Sequence, residues 1–169
     1  MGHWNLKHWR LGISSDAVAV QYNCMVQVQT VIRALGLTGI ASASVVIKKL
    51  PLERVKTNDG LNFPVILITP ARSPLNPAAG DNVQDDVVYG ILVTLMDADN
   101  QEPTLALNLP RNVLWLERTR RAFHCKRLPN VATVYTCAVE PAEPVLPQAW
   151  AQNLWASALL LKFTSREHR

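Results

Sequence analysis

The sequence predicts an α+β fold: a single domain with a mainly antiparallel β-sheet packed by two helices. Three observations predict it. Two stretches carry apolar residues at helical spacing, and three β-branched runs lie between turn-forming residues. In the last third, apolar side chains alternate along two long segments. The expected order is helix, strand, strand, strand, helix, strand, strand, with extended N-terminal and Pro-rich arms. At 169 residues, 49% hydrophobic and 18% charged, the chain is long enough for one well-filled core. Residues 14–169 are assigned to that domain and residues 1–13 to an N-terminal arm.

The arm repeats His3-Trp4 as His8-Trp9, with Lys7 and Arg10 nearby. Trp4 and Trp9 fall outside any periodic pattern. They either pack back on their own domain or anchor in a partner, because Trp is enriched at binding hot spots. His3 and His8 are not spaced as a helical metal pair. No continuous apolar stretch follows, so the arm does not read as a signal peptide.

Ser14 or Ser15 suits a helix cap, Asp16 complements the positive helix end, and Gly36 with Gly39 marks the exit. Val18, Tyr22, Met25 and Ile32, with Val28, Val31 and Leu35 alongside, form a broad apolar face. Gln21, Gln27, Gln29 and Arg33 lie opposite, on a face that either meets water or meets another subunit. Residues 43–50 and 63–69 are β-branched runs flanked by Pro51, Pro64 and Pro70. Asn58-Asp59-Gly60 between them supplies turn chemistry, which predicts an antiparallel pair.

Residues 72–86 read as a long loop, and Asp81, Asp85 and Asp86 read as an acidic rim without the spacing of a calcium loop. Residues 87–96 are apolar on both faces, as in a central strand. They are too few to cross a bilayer as a helix, so no membrane contact is expected. Asp97, Asp99 and Asn100 then turn the chain.

Pro110 fits the first turn of a second helix with Val113, Leu116, Thr119 and Phe123 facing inward. Arg111, Arg118 and Arg121 form one outer line, and Arg120, His124 and Arg127 form another. This most basic segment is either solvated or faces an acidic surface: carboxylates of a partner, the 81–86 loop of an adjacent copy, or nucleic-acid phosphates.

Residues 130–139 place Val131, Thr133, Tyr135, Cys137 and Val139 on one side of a strand. Residues 154–165 do the same with Trp155, Leu159, Leu161 and Phe163. Pro141, Pro144 and Pro147 hold the 140–149 link extended as an arm able to reach a neighbour. Trp150 and Trp155 bracket the start of the last strand, one expected to cap the core and the other to serve an interface.

The composition narrows the function classes. A net charge of +4 is mild and spread over several segments, whereas a dedicated DNA binder shows a denser basic patch. Cys24, Cys125 and Cys137 leave an odd thiol and no CxxC pair, so they read as free thiols, not as a disulfide framework or zinc module. No Gly-rich phosphate loop, GxSxG, HExxH or DxDxDG pattern occurs. His124 and Cys125 are adjacent, and adjacent helical side chains diverge by about 100°. The expectation is a protein that is not an enzyme, holds no metal or cofactor, and is made in the cytosol.

The element order and several segments resemble the tail-terminator and neck (head-to-tail joining) proteins of tailed bacteriophages. The matching stretches are Val31-Ile32-Arg33-Ala34-Leu35 leading into residues 44–51, then residues 63–70, 88–94 and 155–163. Together they cover most of residues 15–165, while the arm bearing Trp4 and Trp9 lies outside the pattern. The resemblance implies a virion protein forming a ring, most often a hexamer. Such a ring stops tail-tube polymerisation and joins the tail tube protein to the head-side connector or head-closure protein, with DNA passing through the lumen without sequence specificity. A head-closure role is the near alternative. A small nucleic-acid-binding protein using Arg111, Arg118, Arg120, Arg121, Lys126 and Arg127 is the alternative of another class.

Overall fold

The computed structural model describes residues 19–49, 63–72, 84–98, 108–143 and 153–168. Helix α1 (Val20–Ala34) leads through a 3-10 turn (Ser42–Ser44) to β1 (Val45–Ile47) and β2 (Val65–Pro70). Then come β3 (Gln84–Ala98), helix α2 (Leu109–Phe123), β4 (Val134–Glu143) and β5 (Leu154–His168). The five strands form one sheet in the order β1-β2-β3-β5-β4, parallel between β1 and β2 and antiparallel elsewhere. The expected α+β class and element order are both present.

Strands β3 and β5 pair over their whole length and form the spine of the sheet. Tyr89, Ile91 and Val93 stand opposite Phe163, Leu161 and Leu159. Such cross-strand neighbours put their side chains on the same face and in contact. That face carries both helices: α1 packs on β1, β2 and β3, and α2 on β3, β4 and β5. One buried cluster results, joining Cys24, Val28 and Ile32 of α1 and Trp115 and Phe123 of α2 to Ile66, Ile68, Val93, Trp155 and Phe163 of the sheet. Val65, Leu67, Met96, Leu154 and Ala156 form a second buried cluster on the opposite face. A strand buried on both faces must read as a continuous apolar run, which is why residues 87–96 lack alternation.

Gly36, with φ of +55°, follows the end of α1 in the left-handed conformation that glycine tolerates. The cap candidates Ser14, Ser15 and Asp16 lie outside the described residues, as do the arm with Trp4 and Trp9, the Asn58-Asp59-Gly60 turn, Asp81, and Trp150. Gly90 answers to crowding instead of torsion, since a Cβ there would stand 2.7 Å from the carbonyl oxygen of Arg72.

Several expectations are overturned. β1 and β2 are parallel, with Val45 opposite Ile66 and Ile47 opposite Ile68. Two parallel neighbours require a crossover connection of about a dozen residues or more, and the segment between Ile47 and Val65 provides that length. Asp85 and Asp86 belong to β3 instead of a loop, and Asp97 lies in the same strand instead of a turn. β4 begins at Val134 and a register shift between Val134 and Thr136 changes its phase, so Val134, Cys137 and Val139 point inward while Tyr135 is exposed. Pro141 pairs with Leu159 inside β4, so the strand takes in the first residues of the expected arm. A proline is tolerated there because β4 is an edge strand.

Candidate functional site

Helix α2 begins with Pro110 in its first turn, where the missing N–H costs nothing. Its buried side is Asn112, Trp115, Thr119 and Phe123. Trp115 is 1% exposed, meets Trp155 edge-on at a centroid distance of 6.4 Å, and donates its indole N–H to the Thr38 carbonyl at 3.0 Å. Phe123 meets Phe163 in the same edge-on manner at 6.3 Å. The two aromatic pairs thus anchor α2 on β5 at two points. Arg111 completes the seat by pairing with Asp97, a residue of 5% exposure, while its guanidinium lies 4.9 Å from the Trp115 ring centre.

This seating differs from the expected inward stripe of Val113, Leu116, Thr119 and Phe123. Both stripes share Thr119 and Phe123, and the larger apolar body of Trp115 decides between them. The consequence lies on the other side. Leu109, Val113 and Leu114 are 48%, 40% and 46% exposed. One turn further along, Arg118, Arg120 and Arg121 are exposed, followed by exposed Lys126 and Arg127. Arg121 reaches Glu117 at 3.5 Å, and both side chains are open to solvent. Glu117, Arg120, Arg121 and His124 line a shallow cleft on this face.

The polar side of α1 is organised differently. Gln21 donates to the carbonyls of Gly90 at 2.8 Å and Ala71 at 3.3 Å, which ties the helix to the end of β2 and to β3. Gln29 and Arg33 both donate to the Val45 carbonyl, at 2.8 and 3.0 Å, and Arg33 also reaches the Ser42 carbonyl at 3.0 Å. These side chains satisfy carbonyls of the edge strand β1 and its approach. Gln21, Gln29 and Arg33 are therefore spent within the chain, not presented to another subunit.

Other expected interface residues are also engaged internally. Asp86 accepts from the Arg166 guanidinium at 3.0 Å and from the Tyr135 hydroxyl at 3.0 Å, while Arg166 lies over the Tyr135 ring. The Arg166 hydrogen bond holds the Asp86 carboxyl below its usual range, and partial burial opposes this. The same contact raises Arg166. Asp85 lies in β3 opposite Glu167. Arg111 is taken up by Asp97, and Trp155 is 4% exposed in the core, where it offers no surface to a partner. Arg118 and Arg121 stand on the surface.

Sequence reasoning missed Leu109 and Leu114, turned Val113 inward, and passed over Trp115 and the Tyr135–Asp86–Arg166 cluster. The signal for the first group was present, since a tryptophan at Thr119 minus four outweighs a valine in choosing the buried stripe. The cluster gave no such signal because it depends on strand register.

Burial pushes the Cys24 thiol up to about 11 and that of Cys137 up to about 12, which keeps both protonated and poor as nucleophiles. Burial, followed by the hydrogen bond to Glu167, likewise raises Tyr89. Among the described residues no group of three His, Cys, Asp or Glu side chains is arranged to hold a metal, and no helix is long and apolar enough to cross a membrane. No protein-family model and no curated protein matches this chain.

Proposed function

We propose that the chain is a structural protein of a tailed-phage neck. In this reading it is a tail terminator that closes into a ring between the tail tube protein and the head-side connector, with DNA passing through the lumen. The observation that carries the reading is the outer face of α2, where three aliphatic side chains stand half-exposed beside a row of arginines on a well-seated helix. Apolar patches rimmed by charge are the usual signature of protein contact surfaces. The order of helices and strands is the second support, since it is the one on which the resemblance rests. In such a protein, function consists of geometry and binding.

Native mass measured over a range of concentrations, with negative-stain images of the same samples, tests the proposal. The expected result is rings of about six copies, or closure into a ring when purified tail tubes are added. A monomer at all concentrations that leaves tube ends bare overturns it.

A second reading, nucleic-acid binding, is favoured by Arg118, Arg120, Lys126 and Arg127, which form no ion pair among the described residues. It requires DNA affinity to fall by about 0.9 log units per log unit of salt for each phosphate neutralised. Affinity that Arg118→Glu with Arg121→Glu leaves unchanged eliminates it.

A further inference from the structure

Each carboxylate whose side chain the structure describes already has a partner inside the chain. Asp86 is held by Arg166 and Tyr135, Asp97 by Arg111, Glu117 by Arg121, Glu140 by Lys162, and Glu167 by Tyr89. The unspent charge on the described surface is therefore positive, and α2 with the turn after it carries the densest part. Shape adds a second constraint. Leu114, Arg118 and Arg121 follow one another at helical spacing along one side of the solvent face, and Leu109, Val113 and Arg120 along the other. Glu117 lies between the two sets, and the i±4 rows Leu109-Val113-Glu117-Arg121 and Pro110-Leu114-Arg118 are neighbouring ridges whose groove takes the ridge of a second helix.

We propose that the outer face of α2 docks an acidic amphipathic helix of a different protein. Its apolar side chains cover Leu109, Val113 and Leu114, and its carboxylates meet Arg118, which has no ion pair among the described residues, and take Arg121 from its exposed 3.5 Å contact with Glu117. A second copy is a poorer occupant because the chain carries a net charge of +4, so two copies repel. A phosphate backbone is poorer because it gains nothing from three aliphatic side chains placed next to the arginines. The inference rests on the neck reading in one respect: it assigns this face to a connector or tube component instead of to the ring contact.

The probe is a synthetic peptide of about 20 residues, long enough to be helical, with leucines at i, i+3, i+4 and i+7 and glutamates flanking them. Binding is read by fluorescence anisotropy on the full chain. Saturable binding is expected, with affinity reduced at least about tenfold by Arg118→Glu with Arg121→Glu and by Leu114→Asp. The same peptide with lysine in place of glutamate is expected to bind the charge-reversed variant better than wild type. Both variants change exposed side chains, and matching melting curves verify that they remain folded.

No binding to wild type, or binding indifferent to both variants, overturns the inference. So does a native mass that falls on Leu114→Asp, which makes the face a contact between copies. Loss of duplex-DNA binding in the charge-reversed variant, with peptide binding intact, overturns it in favour of nucleic acid. The native mass of wild type without peptide reads the ring proposal separately, so failure of one is distinguishable from failure of the other.

Discussion

The two helices lie on the same face of the same sheet, yet they treat their polar sides in opposite ways. Helix α1 turns Gln21, Gln29 and Arg33 back onto backbone carbonyls of β1, β3 and Ala71 just after β2. Helix α2 holds itself by Trp115, Phe123 and the Arg111–Asp97 pair, and it leaves Leu114, Arg118 and Arg120 facing solvent. The Val45 carbonyl of the three-residue edge strand β1 accepts from Gln29 and Arg33, whereas Arg118 and Arg120 of α2 have no such acceptor among the described residues. A polar helical face is thus not by itself a binding surface. It becomes a candidate when its groups have no work inside the chain.

The comparison is broken most sharply at Trp115. Replacing it with alanine removes the aromatic pair with Trp155 and the bond to Thr38, and is expected to cost about 3–5 kcal/mol in denaturant unfolding. A loss below about 1 kcal/mol means that α2 is not seated as described. The second largest effect contrasts the two polar faces. Gln29→Ala with Arg33→Ala strips two donors from the Val45 carbonyl and is expected to destabilise by about 1–3 kcal/mol. Arg118→Ala with Arg120→Ala is expected to stay within about 0.5 kcal/mol of wild type. Equal losses in the two pairs erase the distinction on which the docking face depends.

Thr119 sharpens the account of the buried side of α2. Its hydroxyl is fully buried with no hydrogen-bond partner among the described residues, so Thr119→Val, which keeps the shape, is expected to leave stability unchanged or raise it by up to about 1 kcal/mol. A clear loss shows that the hydroxyl has a partner.

The smallest effect is that of pH on Asp86. Its carboxyl titrates below its ordinary 3.8, chiefly because of Arg166. A depressed carboxylate contributes stability that is present above the unfolded value and lost as pH falls through the folded one. The melting-temperature advantage of wild type over Asp86→Asn is therefore expected at pH 7 and should shrink as pH drops below about 4. An advantage that grows on acidification contradicts the sign.

Much of the chain could be read from local pattern. The odd-numbered apolar residues of β5 and the unbroken apolar run of β3 announced a long strand and a central one, because side-chain direction alternates along any strand. Pro110 announced the start of α2, and Gly36 the end of α1. At the surface the reading was weaker. Arg118 and Arg121 stand exposed, whereas Arg111 and Asp86, also expected at an interface, are paired within the chain and Trp155 is buried in the core.

The type and order of elements are local properties, carried by periodicity, proline and glycine, and these were legible without any structure. The parallel pairing of β1 with β2, the phase of β4 after its bulge, the rotation of α2 onto Trp115, and the division of charges into spent and unspent depend on residues far apart in the chain. Packing decided them, because a side chain's partner is set by which strand lies beside it and in what register, and no short window of sequence contains that neighbour.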